Sequence, residues 1–168
     1  ELNAGDQILT EKGGSVDLVC EGGSTLHLDE STQLAISELE FSKLEQTRVS
    51  RFKLFWGALT AKSAKLEFTK NVFEVETDTV VAGFKFSSMK IIAKQTETLE
   101  DKPYTKLLPI EGKFEMRQTN EGVNEVECLL ENARGGIGFS MGAKVEVELE
   151  VDQTRGNEKI TVKSNLTL

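Results

Sequence analysis

Apolar and polar residues alternate along most of this chain. The clearest run is Lys144-Val-Glu-Val-Glu-Leu-Glu-Val151, where Val145, Val147, Leu149 and Val151 point one way and Glu146, Glu148 and Glu150 the other. A period of two with one apolar face predicts a half-buried β-strand. The same parity appears in Val16/Leu18/Cys20, Leu26/Leu28, Phe52/Leu54/Trp56, Leu66/Phe68 and Phe73/Val75. It returns in Phe114/Met116, Val126/Cys128/Leu130 and Ile160/Val162. Turn-forming clusters such as Gly13-Gly14, Gly22-Gly23, Asn120-Glu-Gly122 and Arg155-Gly-Asn157 break these runs. Short strands separated by such turns predict an all-β fold: an antiparallel sandwich, or a roll resembling a β-helix-like barrel.

Helical periodicity is weak. Its best instance is Ser37–Thr47, where Leu39, Leu44 and several glutamates predict one turn or a short helix. Lys94–Leu108 is polar, contains Pro103, and reads as a long loop or hairpin tip. No linker composition divides the chain, so residues 1–168 are expected to form a single domain, with closing strands over about 112–168.

Composition narrows the function classes. A chain of 168 residues buries roughly 70% of its unfolded surface and needs no disulfide or metal to fold. No run of about 18 apolar residues is present to cross a membrane as a helix. The 28 acids outnumber 20 bases for a net charge of −8, opposite to the basic footprint of a nucleic-acid binder. Arg48, Arg51 and Lys53, with Lys62 and Lys65 nearby, form a basic cluster expected to be a solvated strand face.

Candidate chemistry is sparse. His27 is the lone histidine, and parity puts it opposite Leu26 and Leu28 on the wet face. A hydrolase would have to place it in a deep pocket beside a serine or aspartate, and no Gly-x-Ser-x-Gly motif accompanies it. One histidine and two separated cysteines make no zinc set, and no metal or other cofactor is expected. Cys20 and Cys128 both run in phase with apolar residues, so they are either two core thiols or a disulfide pair. Arg134-Gly-Gly-Ile-Gly-Phe-Ser-Met-Gly142 lacks both the spacing and the following helix of a phosphate loop and reads as a turn. Parity puts Trp56 in the core with Leu54 and turns Phe55 outward beside Lys53. Arg51, Lys53 and Phe55 are therefore a candidate surface for a protein partner or, in the alternative, for a cell-wall glycan or other polysaccharide.

An ordered series of short motifs resembles the FecR domain. Ala4-Gly-Asp-Gln-Ile-Leu-Thr10 is similar to the opening of that domain. Gly14-Ser-Val-Asp-Leu18, Gly22-Gly-Ser-Thr-Leu-His-Leu28, Ser31-Thr-Gln-Leu-Ala-Ile36 and Phe52-Lys-Leu-Phe-Trp-Gly57 follow in the family's order. Phe73-Glu-Val-Glu-Thr-Asp-Thr-Val-Val-Ala-Gly83 resembles its signature. The resemblance covers about residues 3–92. Asp78 stands where proline is usual, and the Arg-Gly-Thr that follows the signature is replaced by Phe84-Lys-Phe86. The family implies a non-enzymatic, all-β module of the bacterial periplasm or cell surface that works through protein contacts. It implies structural roles for Gly57, Thr77, Thr79 and Gly83. The Asp78-Thr79 break before Val80-Val81, with a glycine after it, predicts a turn here and a Gly83 position intolerant of a side chain. The chain opens at Glu1 without methionine or an apolar leader, so export implies a signal or anchor upstream.

Overall fold

The structure is a computed structural model. It describes residues 1–94, 102–127, 144–152 and 157–165, the last two stretches as backbone. No helix occurs among the described residues. The strands are β1 (Gln7–Leu9), β2 (Val16–Val19), β3 (Thr25–Leu28), β4 (Gln33–Ser42), β5 (Thr47–Lys62), β6 (Lys70–Glu76), β7 (Val80–Lys94), β8 (Tyr104–Gln118), β9 (Val123–Val126), β10 (Lys144–Asp152) and β11 (Asn157–Asn165). They form one sheet in the order β1-β4-β5-β6-β7-β8-β10-β11, with β2 and β3 attached along β5 and β9 along β8. The all-β class is as the alternation predicts. The sheet is mixed, because β5–β6 and β8–β9 pair in parallel, and it is open, because β1 and β11 end the strand order without pairing to each other.

β5 organises the molecule, because its partners change halfway along. Its first half lies between β4 and β6, with Leu54 opposite Leu34 and Lys53 opposite Glu76. Its second half lies between β3 and β7, with Leu59 opposite Leu28 and Ile91. The joint is a bulge: Leu34 faces Leu54 while Gln33 faces Trp56, which leaves Phe55 unmatched. An extra residue reverses the side-chain phase. Phe52 and Leu54 are buried before the joint, Leu59 and Ala61 after it. Trp56 is consequently half-buried, not a core residue in step with Leu54. Gly57, at φ +99°, completes the bend; a Cβ there would lie 2.2 Å from Thr32 Oγ1.

Most other parities hold: Leu26, Leu28, Phe73, Val75, Phe114, Met116 and Val126 are all buried. Phe52, Phe73, Phe84 and Phe114 form a chain of ring contacts across β5–β8, with centroids 5.7, 5.4 and 5.8 Å apart. Tilted and edge-on pairs of this kind add roughly 0.5–1.5 kcal/mol each beyond area burial.

Several expectations are corrected. Ser37–Thr47 is no helix but the end of β4, a turn over 43–46 and the start of β5. Leu39 and Leu44 face solvent there, so their spacing never builds an apolar helical stripe. Tyr104–Leu108 is strand, paired with both β7 and β9; the intervening 95–101 lie outside the described residues. Leu66 and Phe68 sit in an irregular segment, where Phe68 packs on Phe41 at 5.6 Å. The Val145–Val151 run is strand β10, as predicted, and its side-chain faces lie outside the described residues. So do Cys128 and the Arg134–Gly142 turn.

Candidate functional site

The motif residues named by the sequence act first as hydrogen-bond nodes. Thr77 and Thr79 flank the β6–β7 turn with both side chains buried. Their hydroxyls meet Thr105 Oγ1 at 2.7 and 2.8 Å, and Thr79 donates to Asn124 Oδ1 at 2.6 Å. Thr77 Oγ1 also receives the Val80 N–H at 3.2 Å, which closes the turn. Buried hydroxyls are stable only when satisfied, and this cluster ties β6, β7, β8 and β9 together. At the other end, Thr10 donates to the Asp29 carbonyl at 2.6 Å and accepts from Thr32 N at 2.9 Å. Thr32 in turn accepts from Ala58 N at 3.0 Å, just past Gly57. Gly83 behaves differently from expectation: it has no left-handed φ, and an added Cβ would meet only ordinary contacts, the nearest being Glu115 O at 3.6 Å.

The basic cluster divides. Arg48 is not solvated but 1% exposed. Its guanidinium donates to Asn71 Oδ1 at 2.7 Å and Ser24 Oγ at 2.5 Å and lies 5.6 Å from the Phe73 ring. All of these acceptors are neutral, and burial pulls its pKa below the usual guanidinium range. Ser24 Oγ also receives the Ala64 N–H at 2.9 Å, so the Gly-Gly-Ser turn and Arg48 stabilise each other. Alternation alone missed Arg48 because both faces of β5 are covered from Thr47 to Ser50. Cys20 is half-buried near this cation; burial raises its pKa, and the Arg48 charge partly opposes that.

Arg51, Lys53 and Phe55 do share an outer face. Arg51 pairs with Glu74 at 3.0 Å and with Glu38, and the hydrogen bond it donates to Glu74 is the chief cause of its raised pKa. Lys53 lies 3.7 Å from Asp78 and 5.4 Å from the Phe55 ring. Phe55 also touches Trp56, with centroids 6.5 Å apart. This patch is nearly charge-balanced, and Phe55 is half-buried in it. His27 is exposed as predicted, 2.6 Å from Asp17 and 3.6 Å from Asp29, which itself pairs with Lys90 at 2.7 Å. No hydroxyl or thiol hydrogen-bonds it among the described residues.

A cleft of about 530 Å³ lies between β2 and the far half of β4, floored by Ser50 and Phe52 of β5 and flanked by the N-terminal residues Glu1–Ala4. Leu18, Ile36 and Phe41 supply its apolar walls, and Asp17, Glu21 and Glu40 stand among its lining residues.

The FecR protein family matches residues 6–100, more than half of the chain. The chain belongs to the FecR family. No curated protein matches it. The fold of this FecR chain is similar to two crystal structures, at 1.65 and 2.50 Å resolution, of "a putative anti-sigma factor from Parabacteroides distasonis ATCC 8503". Each is 16% identical with a TM-score of 0.51, covering 95% of this chain and 59% of that one. The FecR chain thus spans about three-fifths of the length of those proteins. Gly57 lies at the β5 joint, and Thr77 and Thr79 lie in the hydroxyl cluster, within the matched span.

Proposed function

We propose that this FecR-family chain is a non-enzymatic, extracytoplasmic sensing module, folded as one domain over residues 1–168 and acting through protein contacts. The observation that carries this reading is the family match over 6–100. The shared fold with a protein described as an anti-sigma factor supports a regulatory output in particular. Arg51, Lys53 and Phe55 are proposed to belong to its contact surface, as they lie together on the outer face. Nothing in the geometry favours the glycan alternative, because Phe55 is covered by Lys53 and Trp56 and is no open platform.

Alkaline phosphatase and a cytoplasmic fluorescent protein, each fused after Leu168 in the native gene, test the compartment. Phosphatase folds only where disulfides form. Phosphatase activity without fluorescence is the expected result; the reverse pattern overturns the reading. Transcription reported with and without residues 1–168 tests the output: deletion should change expression of a co-encoded sigma-dependent promoter, and no change would remove the regulatory role.

A further inference from the structure

The cleft is bounded by two strand edges that hydrogen-bond to nothing across it. β2 pairs with β3 alone. On its outward side β4 pairs with β1 through Gln33–Ala35, and Ile36 exchanges bonds with Gly5 and Asp6; beyond Ile36 no further outward bonds occur among the described residues. Cys20 N donates to Ser24 O at 2.8 Å, which fixes the ladder phase along β2. Antiparallel pairs alternate between bonded and non-bonded. Leu18 and Val16 therefore exchange bonds with β3, while Asp17 and Val19 turn their N–H and C=O groups to the open edge. Val19 is 77% exposed on that edge.

An open edge beside an apolar floor is the arrangement that accepts an added strand. We propose that an extended segment of a partner protein lies along the β2 edge and sends alternate apolar side chains into the cleft over Phe52. Charge identifies the partner's chemistry. Glu1, Asp17, Glu21 and Glu40 line the cleft, no lysine or arginine does, and the chain carries −8 overall. Glu40 is offset by Lys70 from outside the lining and Asp17 contacts the His27 ring, while Glu21 has no ion-pair partner among the described residues. The occupant is thus a strand in which apolar residues alternate with lysine or arginine. This names the kind of partner for the proposed contact function and rests on that reading.

The test uses a fluorescent peptide about eight residues long, alternating lysine with valine, and a matched peptide with glutamate in place of lysine. Binding is read by anisotropy. The lysine peptide should bind at least about tenfold more tightly than the glutamate peptide. Val19→Pro deletes one outward donor without touching the β2–β3 ladder, a position edge strands tolerate, and should abolish the binding. Glu21→Lys combined with Glu40→Lys should reverse the peptide preference, an outcome that a misfolded protein cannot give. Failure of the lysine peptide to bind overturns the proposal, as does unchanged binding by Val19→Pro. So does concentration-dependent dimerisation that Val19→Pro removes, since a second copy then fills the edge. Each of these negatives leaves the fusion and transcription results standing, so the two readings fail separately.

Discussion

Gly57 and Gly83 have the same side chain and opposite demands. At Gly57 a methyl group meets Thr32 and a φ of +99° together, so Gly57→Ala should destabilise by roughly 2–4 kcal/mol. At Gly83 the backbone is ordinary and the nearest atom is 3.6 Å away, so Gly83→Ala should change stability by less than about 1 kcal/mol. Urea denaturation of the two variants separates them; equal losses would contradict the geometry. Tyr104 gives an independent handle, as it is the chain's one tyrosine. Burial first, then its hydrogen bond to Glu125, pushes its pKa up to about 12. A raised pKa means that folding holds the proton, so this contribution is complete below the unfolded value of about 10. It is lost as pH rises from there through about 12. Phenolate absorbance should titrate near 12 in the folded protein, and Glu125→Gln should bring the midpoint down part of the way. A midpoint at the unfolded value in the native protein would contradict the partial desolvation of that hydroxyl and its hydrogen bond to Glu125.

The strands show how much alternation can carry. β3, β6 and the Phe114/Met116 part of β8 were legible because one of their faces meets the core and the other meets water. The β4–β5 hairpin was not, because its end projects from the sheet: Leu44 is 94% exposed, and the turn gains nothing from apolar spacing. Arg48 was misread for the converse reason, since a strand covered on both faces can bury a cation that alternation assigns to solvent. The family resemblance singled out Thr77 and Thr79 but could not show that Thr105 and Asn124, far along the chain, complete their hydrogen bonds. Thr79→Val keeps the shape and removes the hydroxyl, leaving Asn124 Oδ1 short of its donor. It should cost roughly 1–3 kcal/mol in urea denaturation, while Thr77→Ser, which keeps the hydroxyl, should cost less. Equal costs would mean that packing and not hydrogen bonding holds this corner.

Across the whole molecule, β5 touches β3, β4, β6 and β7, so neither half of the sheet separates without breaking it. Amide exchange should therefore place the β5 backbone among the slowest sites, released only with global unfolding, with the open-edge amides of Asp17 and Val19 among the fastest. Early exchange along β5 would indicate two independent units. The bulge at Phe55 has a further meaning for how the gene tolerates change in length. Because inside and outside exchange places there, removing one residue from Leu54–Gly57 would turn Leu59 and Ala61 outward and expose the strand's apolar set at a stroke. A two-residue insertion between Leu44 and Glu45, in the exposed turn, should leave the fold and its melting temperature almost untouched. Viable length variants of this chain should accumulate at the hairpin tip and be missing at the bulge, so a screen of insertions and deletions would trace the joint without any structural measurement.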